Sequence, residues 1–323
     1  MLPPAPKIFH GRNFELHKVI ELLTQYSPRV AILGPGGIGK TSLAQIALHH
    51  EDVVAKYPER YFVPCHSSLT SSDLISTISS HIGFQSAKGL QHILNYFACS
   101  KPTLLVLDNF ETLWEPASTR MDTEEFLSQL AGVPQLAMLI TMRGAEHPQK
   151  TRWTRPFLQP LTPLSNAAAL QVFVDIAEDQ HELSKVQQLL DITGNLPLAV
   201  NLMANVVAHE GCDQTLSRWN KENTHLLSDG YDQRSSLDIS IMLSYSSPRM
   251  TCGAKELLSL LSMLPDGLSD ADLVQSKLPL ENILSCKLSL VQVSLAYVDN
   301  TKHLKCLVPI GKYIQRVHPP SSN

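Results

Sequence analysis

The sequence predicts an α/β protein that opens with a parallel sheet carrying helices on both faces, followed by a helical domain and a winged-helix domain. Three observations carry this. A strand, a glycine-rich loop and a helix follow one another over 30–47; two apolar runs, Leu104-Leu105-Val106-Leu107 and Ala137-Met138-Leu139-Ile140, lead into Asp108 and into Thr141 and Arg143; and from about Ser165 the apolar spacing turns helical. Runs that are apolar on both faces are central strands of parallel sheets, and strands alternating with helical patterns build open α/β sheets.

In chain order, a Pro-rich leader is followed by Phe9-His10-Gly11-Arg12 and a helix whose stripe is Leu16, Val19, Ile20 and Leu23. Val30-Ala31-Ile32-Leu33 is a buried strand, and Leu43, Ile46 and Ala47 recur at helical spacing behind the loop. Tyr61-Phe62-Val63-Pro64-Cys65 reads as a second strand. The segment 66–81 is rich in Ser and Thr, yet Leu74, Ile75, Ile78 and Ile82 keep helical spacing. It reads as an amphipathic helix with a serine-coated outer face rather than a phosphorylation cluster. These elements make a first α/β domain over 1–162, close to the usual domain size.

The helical domain, 163–232, has one stripe in Ala169, Leu170, Val172, Phe173 and Ile176 and another in Val186, Leu189, Leu190 and Ile192. Gly194-Asn195-Leu196-Pro197-Leu198-Ala199 then opens a helix through Leu202, Met203, Val206 and Val207 that stops at Gly211. Pro197 fits there because the first helical turn has no use for its missing N–H. In the last domain, 233–323, Leu237, Ile241 and Tyr245 mark one helix, and Leu257, Leu258, Leu261 and Leu264 a second. Ser269-Asp270-Ala271-Asp272 caps a third, running to Lys277. A hairpin around Asp299-Asn300-Thr301-Lys302 follows, and three helices before a hairpin make a winged helix.

The bulk figures set bounds. At 323 residues, 43% hydrophobic and 17% charged, the chain has material for two or three cores of roughly 100–200 residues each. The net charge of -4 gives no electrostatic footprint for nucleic acid. Six scattered cysteines without a C-x-x-C pair read as reduced core residues. With no signal-peptide pattern and no apolar run near ~18 residues, the expected location is the cytoplasm, away from membranes.

Gly34-Pro35-Gly36-Gly37-Ile38-Gly39-Lys40-Thr41 matches G-x-x-x-x-G-K-[ST] at every fixed position, between a strand and a helix. In that context the loop curls its N–H groups inward around phosphate oxygens at a helix N-terminus, with Ser42 in the first turn. Lys40 reaches the β- and γ-phosphates, and the Thr41 hydroxyl ligates Mg²⁺. Asp108, at the end of a central strand, is the second Mg²⁺ residue. Asn109 cannot deprotonate water, so Glu111 is the candidate general base. Arg143, past the next strand, is placed to sense or neutralise the γ-phosphate. The guanine-reading N-K-x-D is absent, Asn220-Lys221-Glu222-Asn223 failing at its last position, which favours adenine.

Phe9-His10-Gly11-Arg12, the phosphate loop, 104–109, Thr141-Met142-Arg143 and 194–199 occur in the order and spacing of the NB-ARC proteins. On these motifs the chain resembles that family of STAND-class signal-transduction ATPases, which includes plant disease-resistance and apoptotic ATPases. The tail, from Ser236 through Leu264-Pro265-Asp266-Gly267 to His318-Pro319-Pro320, is similar to the large fungal branch. The resemblance implies the P-loop NTPase fold, ADP or ATP with Mg²⁺ as ligand, and a switch with slow hydrolysis. In such a switch Phe9, Gly11 and Arg12 pack against adenine, and Pro197 touches the nucleotide from the helical domain. The winged helix closes over ADP in the off state, and ATP opens it toward assembly with copies of itself or with other STAND or effector chains.

The chain departs from that pattern in three places. Asn109 stands where the family has a second acid, which slows hydrolysis. Leu307-Val308-Pro309 stand where the family has Met-His-Asp, removing the histidine that reads the ADP β-phosphate. Neither an effector domain nor a repeat sensor flanks the motifs, so the expectation is a stripped-down switch working with other chains, or a fragmentary, degenerate ADP-binding remnant. Two other functions compete. A nucleotide-controlled winged-helix transcription regulator is disfavoured by Asp270 and Asp272 on the expected recognition helix, where Lys277 is the only cation. A small-molecule kinase needs a lid with arginines, and 165–211 has none.

Overall fold

The computed structural model describes residues 2–84, 89–178, 181–222, 237–276, 282–299 and 301–320. The chain divides into two compact units, Met1–Gly34 with Lys40–Leu161 and Pro35–Gly39 with Thr162–Asn323.

The first unit contains α1 (Asn13–Leu23), β1 (Arg29–Gly34), α2 (Lys40–His49), α3 (Glu51–Lys56), β2 (Glu59–Pro64), α4 (Ser71–His81), α5 (Leu90–Cys99), β3 (Thr103–Asp108), α6 (Glu111–Trp114), α7 (Ala117–Ala131) and β4 (Leu136–Arg143). All four strands are parallel, in the order β1-β4-β3-β2. Every residue of β3 is buried, as the unbroken apolar run requires. One face of the sheet sets Leu105, Leu107, Met138 and Ile140 against Leu74, Ile78, Phe97, Phe126 and Leu130 of α4, α5 and α7. On the other, α2 packs on β1 and β4, and α1 packs on β1, α2 and α3. Helices therefore cover both faces. The expected serine-coated helix is α4, started by a capping box between Thr70 and Asp73.

The outer edge of β1 is lined by the segment that follows β4. Thr154 N donates to Arg29 O (2.9 Å), Arg29 N donates to Thr154 Oγ1 (2.8 Å), and Leu161 N donates to Leu33 O (2.8 Å). These bonds satisfy backbone groups that an open sheet edge would leave to water.

The second unit contains α8 (Asn166–Ala177), α9 (Leu183–Thr193), α10 (Pro197–Glu222), α11 (Leu237–Tyr245), α12 (Cys252–Leu261), α13 (Asp270–Gln275), α14 (Ile283–Gln292), β5 (Tyr297–Val298), β6 (Leu304–Lys305) and α15 (Val308–Val317). Of the stripes read for α8 and α9, Ala169, Val172, Phe173, Val186, Leu189 and Leu190 are buried, whereas Leu170, Ile176 and Ile192 are half-buried; both helices pack on α10. Gly211 breaks α10 as expected, but a second helical stretch continues beyond it. Leu264, assigned to the α12 stripe, lies past the helix end and is exposed.

The reading puts the third helix at 269–277, directly before the hairpin. The structure ends α13 at Gln275 and inserts α14 before β5. Ser285, Lys287 and Ser289 interrupt the α14 pattern, so only Cys286 and Leu290 of that helix are buried. Lys277, Ser236 and Asn300 lie outside the described residues, as do the side chains of 220–223 and the expected 232/233 domain boundary. Strands β5 and β6 pair antiparallel, and Leu268 bridges Leu304 on the other side of β6. Gly267 makes that approach feasible. Its φ is +74°, and a Cβ there would stand 2.4 Å from the Leu304 carbonyl oxygen.

Candidate functional site

Strand register assembles the site. Gly34 at the end of β1 pairs with Arg143 at the end of β4, and Pro64 of β2 pairs with Asp108 of β3. The carboxyl ends of the strands therefore present Asp108, Thr141 and Arg143 beside the root of the glycine-rich loop. In open parallel sheets this is the edge where ligands bind.

Lys40 and Thr41 enter from the start of α2. Lys40 is buried, and its Nζ donates to the Gly34 carbonyl oxygen at 2.9 Å. Burial pulls its pKa down to about 8, against the opposing pull of Glu111 and Asp108 and with a further push from Arg143. Thr41 Oγ1 donates to Asp108 Oδ1 at 2.8 Å. Ser42 is half-buried in the same first turn.

Asp108 is buried and takes a second hydroxyl on the same oxygen, from Thr141 Oγ1 at 2.6 Å. Thr141 Oγ1 also accepts from the N–H of Asn109 at 3.0 Å. Asn109 has φ +60°, a left-handed conformation that Asn tolerates better than most residues. The chain thus turns sharply after β3, and Phe110 N donates back to Thr141 O (3.0 Å) before Glu111 begins α6. Thr141 belongs to a motif quoted above without a role. Its signal in the sequence is a hydroxyl residue directly after the apolar run 136–140.

Glu111 and Arg143 are brought together, with each other as partners. Glu111 Oε1 lies 3.2 Å from Arg143 Nε, and Oε2 accepts from the Arg143 backbone N–H at 3.2 Å. The neighbouring Cys65 thiol is pushed well above its ordinary range by burial and then by Asp108 and Glu111, so it is chemically quiet. Glu124, on α7, supports the loop beyond β4 by accepting from Trp114 Nε1 (2.8 Å) and Gln149 N (3.2 Å).

The remaining candidates fall in two places. Phe9, Gly11 and Arg12 stand at the entrance to α1, where buried Arg12 pairs with Glu15 at 3.0 Å. In the second unit, the loop tip Pro35, Gly36, Gly37, Ile38 and Gly39 keeps company with Pro197, the first residue of α10. Leu198 N donates to Gly37 O at 3.1 Å, and a Cβ at Gly37 (φ +73°) would come within 2.8 Å of Leu198 Cβ. Pro35, Gly36, Leu196, Ser244, Leu295 and Leu307 line one shallow cleft there, and Pro309 stands against Gly194. Three separate motifs, 34–41, 194–199 and 307–309, are thereby represented in one unit.

Among the described residues no group of three His, Cys, Asp or Glu side chains could hold a metal ion by itself. One hydroxyl and one carboxylate, Thr41 and Asp108, meet beside the loop as hard oxygen donors. That set suits Mg²⁺, which is usually held by one or two side chains together with phosphate oxygens and water. Among the described residues no helix is long and apolar enough to cross a membrane.

The profile of a protein family described as Novel STAND NTPase 1 matches residues 4–209. Comparison with curated proteins gives no match. Among solved structures, the chain is similar to a Walker-type ATPase of Pyrococcus abyssi, with TM-score 0.65, 13% identity, and 98% of this chain and 99% of that chain covered. It is similar to the ORC1 protein of Aeropyrum pernix in complex with DNA, at TM-score 0.54, 13% identity and coverage of 97% and 94%. Cdc6p of Pyrobaculum aerophilum gives TM-score 0.50 at 15% identity, covering 97% and 96%. At such identities the likeness is one of fold.

Proposed function

The chain belongs to the Novel STAND NTPase 1 family, and from that premise we propose that it is an adenine-nucleotide switch with slow Mg²⁺-dependent ATP hydrolysis. The observation that carries the reading is the meeting of Gly34, Lys40, Thr41, Asp108 and Arg143 at one end of the sheet, with Thr41 Oγ1 2.8 Å from Asp108.

In this reading the loop N–H groups and Lys40 hold the phosphates. Thr41 and Asp108 hold Mg²⁺, which when bound supplies charge neutralisation at the phosphate oxygens. Glu111 takes the proton from the attacking water, and Arg143 meets the terminal phosphate. Asn109 supplies no carboxylate, in keeping with slow turnover. ADP favours an off state and ATP an assembly-competent one, the two ligands differing in affinity for the two states. The NB-ARC resemblance supports this cycle and assigns Phe9, Gly11, Arg12 and Pro197 to the nucleotide.

The order α12, Leu268, α13, α14, β5, β6 supports the winged-helix reading. The comparison protein from Aeropyrum pernix is seen with DNA, but here α14 carries one cation, Lys287, and it pairs with Asp270. Leu284 and Leu288 are exposed on α14, which favours protein contact over phosphate contact.

Thermal unfolding with ADP, ATP–Mg²⁺, GDP, GTP and duplex DNA, beside a Lys40→Ala variant, tests the reading. A ligand at 100 times its dissociation constant adds about 2.7 kcal/mol. Stabilisation by adenine nucleotides alone, lost in the variant, is the expected result. No shift with any nucleotide would sink it, and a shift with DNA alone would favour a DNA-binding regulator.

A further inference from the structure

We infer that Glu111 sets the preference between nucleoside triphosphate and diphosphate, by competing with the terminal phosphate for Arg143. The inference rests on the reading of this site as a nucleotide site and adds to it how the site tells its two ligands apart.

Three observations carry it. Glu111 holds Arg143 twice, through Nε and through the backbone N–H, each at 3.2 Å. The two side chains are only 10% and 18% exposed, so water and salt screen the pair far less than a surface pair. And the pair shares its surroundings with two further charges, Lys40 and Asp108, which makes the local sum of these four groups zero.

The two bonds differ in kind. The backbone N–H of Arg143 is fixed by β4, so it anchors Glu111 Oε2 whatever the guanidinium does. The Nε contact is made by a long side chain and can be exchanged. A terminal phosphoryl group offers more negative charge and more acceptor oxygens than a carboxylate, and guanidinium binds phosphate bidentately. A triphosphate therefore outbids Glu111 for Arg143, whereas a diphosphate has no group at that position to offer. Some of the affinity of the triphosphate is spent on displacing the carboxylate. The same exchange strips Glu111 Oε1 of its cation and leaves that oxygen free to accept a proton.

The test is calorimetric titration of ADP–Mg²⁺ and of a non-hydrolysable ATP analogue with Mg²⁺ into the full chain and its Glu111→Gln, Arg143→Ala, Arg143→Lys and double Glu111→Gln/Arg143→Ala variants. Glu111→Gln keeps shape and removes the competing charge. It should tighten the ATP analogue by about tenfold, equivalent to about 1.4 kcal/mol, and leave ADP within about twofold. Arg143→Ala should erase the preference, Arg143→Lys should retain part of it, and in the double variant the glutamine should no longer matter. An equal shift for both ligands, no shift for either, or an unchanged preference in Arg143→Ala overturns the inference while the nucleotide site stands. A wild-type chain that binds neither nucleotide overturns both.

Discussion

The same short bond occurs in two regions with different consequences. Thr141 Oγ1 donates to Asp108 Oδ1 at 2.6 Å in the buried end of the sheet, and Ser269 Oγ donates to Asp272 Oδ2 at 2.6 Å on the surface of the second unit. At α13 the pair is half of a capping box, in which Asp272 N donates to Ser269 Oγ (3.1 Å) and Ser269 N donates to Asp272 Oδ2 (2.9 Å). Water would take over either partner at little loss. In the sheet Asp108 is buried, and the same oxygen also accepts from Thr41 Oγ1 at 2.8 Å. Chemistry is therefore read from where a hydroxyl–carboxylate pair sits, since the bond is equally short in both places.

Substitution at the buried hydroxyl gives the largest expected effect. Thr141→Val removes a donor from buried Asp108 and an acceptor from Asn109 N, and should cost about 2–3 kcal/mol in urea unfolding. Thr141→Ser should recover most of it. If the valine variant proves no less stable than Ser269→Ala, the contrast collapses.

Lysines sharpen the same contrast through pH. Lys305, on the surface, has its pKa raised by its hydrogen bond to Asp299, whereas burial lowers that of Lys40 to about 8. The folded protein holds the Lys40 proton less tightly than the unfolded chain does. This penalty is present below about pH 8 and is relieved as pH rises toward the ordinary lysine range, so stability without nucleotide gains there. Phosphate needs the charged form, so nucleotide affinity should be full below about 8 and fall by up to about tenfold per pH unit above it. Calorimetry in buffers of different ionisation enthalpy should show net proton uptake on binding at pH 8. Pure release would contradict the burial effect.

Ser269→Ala should be the mildest, lowering the melting temperature by no more than about 3 °C. The Asp272 pKa is lowered by Ser269, so the cap contributes above the ordinary carboxylate range and is lost as acid protonates Asp272. The alanine variant should flatten that acid dependence, measurable as the melting temperature between neutral pH and pH 3.

What was legible in the sequence tracks how local each signal is. The glycine-rich loop is eight consecutive residues, and β3 and β4 are unbroken apolar runs, so both could be read without knowing the fold. The α7 stripe was missed because Thr123 and Glu124 are buried within it, Glu124 bonded to Trp114, and a polar residue at a core position hides the period. The α14 helix was hidden by its serines and by Lys287. Asp108, Glu111 and Arg143 were each identified by position, but the coupling of Glu111 to Arg143 spans 32 residues and depends on strand register. No local pattern encodes that.

The bond from Arg29 N to Thr154 Oγ1 closes over 125 residues, and among the described residues β1 has one sheet neighbour, β4, the last strand of the four to be made. Contacts between distant residues form late. On a ribosome adding about 5–20 residues per second, the phosphate loop emerges many seconds before the strand that supports it. A nascent chain carries the whole glycine-rich motif yet has no place to hold it until β4 arrives. Nucleotide can thus act on the folding of this protein only as a late ligand, one that locks a finished sheet and cannot seed it.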